Sequence, residues 1–184
     1  MTIEQDPEWQ KIELEIYAAF KDVRLDDGVG YYEAGAIDDY LQPNNEKYQI
    51  EKEKDERNDW TQLLTEIRPV DYVNDRYCFM DTKGLRFYLP FLMIRRDKAI
   101  NNIMNSYISE IYKRHGYLKS CFTETVLLLT NEQKQCIYDF YDYLSKIENS
   151  DFYEENLNSD FDTGEIALKG FNFMEFIRKH FYTK

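Results

Sequence analysis

Glu33, Asp38, Asp39, Arg86 and Tyr88 are the residues of this chain whose types and setting best suit chemistry. Glu33 and Asp38 stand five apart in a stretch that reads as a short helix, and Asp39 flanks them. Arg86 is enclosed by Leu85, Phe87 and Leu89, so its guanidinium emerges from an apolar setting and needs a carboxylate. Leaving such a charge buried and unpaired costs about 3–5 kcal/mol. Glu33 or Asp38 would supply the partner through a bidentate pair. As a site, this set would bind an anionic or amide group, or use paired carboxylates for proton transfer. As scaffold, it is an ion pair pinning two helices together.

Other chemistry finds less purchase. No metal is expected. The nearest approach to a cation loop, Asn158-Ser159-Asp160-Phe161-Asp162-Thr163-Gly164-Glu165, has Gly170 where the closing Glu of a calcium loop would stand. His115 and His180 fall at helix ends, where a cation complements the helix dipole. The sequence has no G-x-S-x-G elbow and no H-E-x-x-H. Cys78, Cys121 and Cys136 lack the spacing of a metal or redox pair and read as buried thiols in a reducing compartment. Gly28 and Gly30 mark a turn, not a phosphate loop, and no cofactor is implied.

A second constellation is Tyr138, Asp139, Asp142 and Tyr143. With Phe140 and Tyr141, these rings are too many for one buried helix face. Exposed tyrosines beside aspartates form a candidate protein-interaction surface. Solvated tyrosines at the edge of a core would give the same pattern.

The elements that must position these residues are helices. Asp6-Pro7 opens one, with Trp9, Ile12, Ile16, Phe20 and Val23 at helical spacing and an end expected near Asp26-Asp27-Gly28. Glu33 to Leu41 reads as a short helix stopped before Pro43. Glu46 to Arg57 reads as a solvated helix laced by Lys47/Glu51, Lys52/Glu56 and Glu53/Arg57. Asp81 is an N-cap for a stripe of Leu85, Tyr88, Leu89, Leu92 and Met93, which Pro90 should kink or split. Ile100, Ile103, Met104, Tyr107, Ile108, Ile111 and Tyr112 continue the pattern. Thr130-Asn131-Glu132-Gln133 matches a capping box for the tyrosine-bearing helix. Residues 149–165 read as an acidic loop and 166–184 as a last helix. Tyr77–Met80 and Val126–Leu129 are the only strand candidates. The expected fold is mainly α, a single-domain helical bundle over 1–184 with at most minor short strands.

Composition sets the class of partner. The formal net charge is −12, and 12 Phe and 16 Tyr make the core ring-rich. Residues 1–60 hold 7 basic and 17 acidic side chains, and residues 139–165 hold 1 and 9. Residues 61–138 are mildly basic, with 11 and 8. Such a surface repels phosphate backbones and attracts basic proteins, so nucleic acid is excluded as a partner. The longest apolar stretch contains Arg86 and Pro90, too short and broken to span a bilayer, so no membrane partner is expected. The acidic first residues hold no secretory signal, and a cytoplasmic location is expected.

Three stretches resemble a family of bacterial proteins known only as a domain of unknown function. They are Glu33-Ala34-x-x-Ile37-Asp38-x-Tyr40 followed by Asp59-Trp60, then Asp81-x-x-Gly84-Leu85-Arg86-Phe87-Tyr88-Leu89-Pro90-Phe91, then Leu129-Thr130-x-Glu132-Gln133. The resemblance spans roughly residues 10–147 and implies no activity. Charge and composition point to a non-enzymatic protein-binding module, of the kind that neutralises basic toxins as immunity or inhibitor proteins. The alternative is an enzyme or small-ligand binder built on the carboxylate, Arg86 and Tyr88 cluster.

Overall fold

The computed structural model describes residues 3–65, 76–96, 100, 128–147 and 173–183. Among them all regular structure is helical and no strand occurs, so the chain is mainly α. The α-helices are α1 (Pro7–Phe20), α2 (Tyr31–Asp38), α3 (Glu46–Glu53), α4 (Thr82–Arg95), α5 (Asn131–Lys146) and α6 (Phe173–Phe181). They fall into two compact units. One is formed from Met1–Phe20 with Leu129–Lys184, the other from Lys21–Leu128.

In the first unit α5 packs against both α1 and α6. Trp9, Ile12, Ile16 and Phe20 are the buried stripe of α1, while Ile137, Phe140, Tyr141 and Leu144 are buried on α5. The local signals work as the sequence predicts. Asp6 accepts the Glu8 amide at the start of α1 (2.9 Å). Thr130 and Gln133 form the capping box at the start of α5. The capping Gln133 has a second role, since its Nε2 donates to the carbonyl of Ala19 in the last turn of α1 (3.0 Å). Helix α1 ends at Phe20, short of the expected Asp26-Gly28 boundary, with one of its orphan carbonyls satisfied by a side chain from α5.

In the second unit α2 packs on α3 and on a 3₁₀ turn at Tyr77–Phe79, and α4 packs on the 3₁₀ turn Trp60–Thr65. The first of these turns replaces one of the two strand candidates. Asp81 caps α4 as expected, its Oδ1 accepting Gly84 N (2.8 Å), and the same oxygen accepts Val29 N (3.0 Å). A Cβ at position 84 would collide with the Val29 carbonyl, so glycine there lets the 28–30 turn lie against the start of α4. Helix α4 is not split at Pro90. A proline inside a helix costs about 3 kcal/mol. Here Pro90 is buried together with Phe87, Tyr88, Leu89, Phe91, Leu92 and Met93, and their burial offsets that cost.

Helix α3 stops at Glu53, not Arg57, and the predicted i,i+4 pairs give way to others. Lys47 meets Asp39 (3.5 Å), Lys54 meets Glu51 (2.6 Å), and Lys52 and Arg57 both turn to Glu33. A helix through Arg57 would fix these charges in exposed i,i+4 pairs worth a few tenths of a kcal/mol. Ending it early frees Asp55 and Arg57 to reach buried partners. The Ile103–Tyr112 stripe, His115, Cys121, the 149–165 segment and the loop at 158–165 lie outside the described residues.

Candidate functional site

The residues singled out around Glu33 separate in the structure. Asp38 and Asp39 are exposed at the end of α2, and Asp39 pairs with Lys47. Arg86 is half-buried, and desolvation lowers its pKa. Glu33 is 2% exposed, and its cations are Lys52, in the last turn of α3, and Arg57, just beyond that helix. Its Oε1 accepts from the Tyr48 hydroxyl (2.6 Å) and from Lys52 Nζ (2.7 Å), and its Oε2 from Arg57 Nη2 (3.1 Å). The other arm of Arg57 donates to the carbonyls of Asp26 (2.8 Å) and Gly28 (3.1 Å). Burial, then the hydrogen bond to Glu33, pushes the Tyr48 hydroxyl up to about 12.

Tyr88 joins this cluster through a residue that sequence reasoning missed. Gly30 is the N-cap of α2 and offers no side chain to the first-turn amides. Those amides are instead satisfied from a distance. Tyr31 N donates to the Tyr88 hydroxyl (3.2 Å), Tyr32 N to Asp55 Oδ1 (2.9 Å) and Glu33 N to Asp55 Oδ2 (3.0 Å). The Tyr88 hydroxyl lies 3.5 Å from Asp55 Oδ1. Asp55 is 7% exposed and Tyr88 fully buried. An ionised carboxylate at a helix N-terminus is favoured by the dipole and by the amides it accepts. The position where a helix would hold an external anion is therefore already taken by Asp55. A signal existed in the sequence, a helix start with glycine where a capping side chain belongs, but it did not say which residue would fill the gap.

The tyrosine surface also divides. Tyr143 is buried (2% exposed) against the Trp9 ring (centroids 5.6 Å apart), and its hydroxyl donates to Asp6 Oδ2 (3.0 Å). It is core and not surface, because Trp9 of α1 and the Asp6 that caps that helix supply an aromatic face and a carboxylate opposite it. Asp142 is half-buried and pairs with Lys146 (3.0 Å). Tyr138 stays half-exposed, edge-on to Tyr182 (4.9 Å), and Asp139 accepts from Gln135 Nε2 (2.8 Å).

Beside Asp139 the first unit opens a cleft of roughly 470 Å³. Ala18, Ala19 and Cys136 contribute apolar lining, and Glu15, Glu132 and Asp139 contribute carboxylates. Among the described residues no Lys, Arg or His lines it, although Lys11 stands 3.5 Å from Glu15 at the surface. Burial pushes the Cys136 thiol up to about 12, and Glu15 and Asp139 add to the shift, so both carboxylates act on the same point from different helices. The Glu132 carboxyl is held below its ordinary value by its own backbone amide and the Thr130 hydroxyl. Gln135 Oε1 accepts Thr183 N (3.0 Å), which ties the residues after α6 to the cleft wall. Among the described residues, no three His, Cys, Asp or Glu side chains gather closely enough to hold a metal ion. No described helix is long and apolar enough to cross a membrane.

Residues 9–163 match the family described as "Family of unknown function (DUF6714)", and the chain belongs to that family. No curated protein and no solved structure matches it.

Proposed function

We propose that this member of a family of unknown function is a non-enzymatic binding module for a basic protein, an inhibitor or immunity-like partner of a bacterial cell. One observation carries this: accessible carboxylates of the first unit line an open cleft that no cation lines among the described residues, in a chain of net charge −12. Long-range attraction of that kind steers a basic partner and discriminates against acidic ones. An intracellular, reducing setting suits the buried free thiol of Cys136.

The rival, an enzyme or small-ligand binder at Glu33, Asp38, Arg86 and Tyr88, draws no support from the geometry. The Glu33 carboxylate is occupied by Tyr48, Lys52 and Arg57, Tyr88 serves the start of α2, and Asp38 is exposed elsewhere. A general base needs an oxygen within reach of substrate, and the Glu33 oxygens already accept internal donors.

The test is capture from host lysate on the immobilised chain at low and at high salt. A stoichiometric basic protein retained only at low salt is the expected result, because exposed charge attraction is screened by salt. Failure to retain any stoichiometric partner at low salt would overturn the proposal.

A further inference from the structure

We infer that the cleft lined by Glu15, Glu132 and Asp139 seats an arginine side chain of the partner protein. This rests on the reading above that the partner is a basic protein, and adds the place and the group. The lining has an apolar part, Ala18, Ala19 and Cys136, suited to the methylene stem of a long side chain, and a carboxylate rim suited to its charged head. The rim acids come from two helices, Glu15 from α1 and Glu132 and Asp139 from α5. They are too spread to share a metal ion. A guanidinium is planar and carries five donors in a fixed fork, which suits it to bridging carboxylates presented by two helices.

Charge complementarity selects the occupant. Three carboxylates face the cleft, and among the described residues Lys11, on the exposed flank of Glu15, is the one cation that offsets any of them. Asp139 Oδ1 is used by Gln135, which fixes the carboxylate in place. The Tyr138–Tyr182 ring pair stands outside the lining but next to it in the chain, Tyr138 one helical turn from Gln135 and Tyr182 beside the Thr183 that Gln135 holds. A tyrosine pair next to such a cleft suits a guanidinium, which packs on rings as well as pairing with carboxylates. A second copy of this acidic chain would bring like charge to the cleft, which is repulsive.

The experiment titrates the full chain with a capped, glycine-flanked arginine peptide, its lysine analogue and its glutamate analogue, following backbone amide shifts. Two double variants with equal loss of charge accompany it. E15Q/D139N changes the cleft, and E46Q/E53Q changes exposed acids of α3; circular dichroism checks that both fold. The expected result is shifts centred on Glu15, Gln135, Asp139 and Thr183 with the arginine peptide, weaker ones with lysine and none with glutamate. Affinity falls about tenfold in E15Q/D139N, the loss expected for removing carboxylates that meet the charge directly. In E46Q/E53Q it stays within about twofold, since remote exposed charges are screened. No shifts, equal losses in both variants, or a doubling of mass that broadens the cleft amides each overturn the assignment. If the wild type captures a basic protein and E15Q/D139N captures it equally well, the cleft assignment fails while the protein-binding function stands. If the wild type captures none, that function itself fails.

Discussion

The Asp55 carboxylate fills the space that a side chain at position 30 would need. An added Cβ on Gly30 would overlap the Asp55 carboxyl carbon. Helix α2 thus begins on a glycine because its cap comes from elsewhere, from a carboxylate more than twenty residues further along the chain.

Gly30→Ala should therefore lower stability by about 2 kcal/mol, the usual cost of forcing atoms into a packed site. Asp55→Ala, which leaves the Tyr32 and Glu33 amides without their acceptor, should cost a similar amount, about 1–2 kcal/mol. Urea unfolding of both variants and of the double variant checks this. The two losses should add to less than their sum, because each disturbs the same contact.

Glu33→Gln should cost about 3 kcal/mol, since Arg57 and Lys52 then keep their charges beside a neutral amide. The measurement is the chemical denaturation midpoint, paired with the arginine-peptide titration. A folded Glu33→Gln protein that binds the peptide normally places Glu33 in the scaffold. Loss of binding without loss of stability would return it to the list of site residues.

Stability should fall as pH rises from about 9 toward 12. The Cys136 thiol moves from 9.0 to about 12 on folding, chiefly by burial, and the Tyr48 hydroxyl from 10.0 to about 12. Each holds its proton more tightly folded than unfolded. Through that window the folded state binds more protons, and the free energy of unfolding decreases. Denaturation midpoints across the alkaline range test the slope, and Cys136→Ala should make it shallower at its lower end. The same protonated, buried thiol should resist alkylation at neutral pH until the chain is unfolded.

Asp139→Asn should raise the stability of the isolated protein by about 0.5 kcal/mol, by relieving repulsion among cleft carboxylates while keeping an oxygen for Gln135. A thermal melt checks this at low and high salt. The gain should shrink in salt, and a loss in its place would mean that Asp139 is structural.

Tyr143→Ala should cost about 3–5 kcal/mol, as for removal of a large buried ring. Tyr138→Ala should cost about 1 kcal/mol, the worth of an exposed aromatic pair. Differential scanning calorimetry separates the two, and similar losses would refute the division of this helix into core and surface.

The sequence alone determined the helical class and the starts of α1, α4 and α5, whereas α2, read as Glu33 to Leu41, runs from Tyr31 to Asp38. Asp6, Asp81 and Thr130 cap the turns they were expected to cap, because a cap is a bond between residues two or three apart and its signal is local. Burial of Leu85, Phe87 and Leu89 around a less buried Arg86 was legible for the same reason. Helix ends were harder to place. Where α1 stops reflects Gln133, and where α3 stops reflects the pull of Glu33 on Lys52 and Arg57. Tyr143 and Tyr138 look alike in the sequence, and only the presence of Trp9 and Asp6 opposite one of them sends it into the core. The partner of Glu33, the cap of α2 and the convergence of Glu15 with Asp139 all join residues far apart in the chain. Their pairing depends on which helix faces come together. Periodicity marks a face as apolar or charged, but it does not say which other face will cover it.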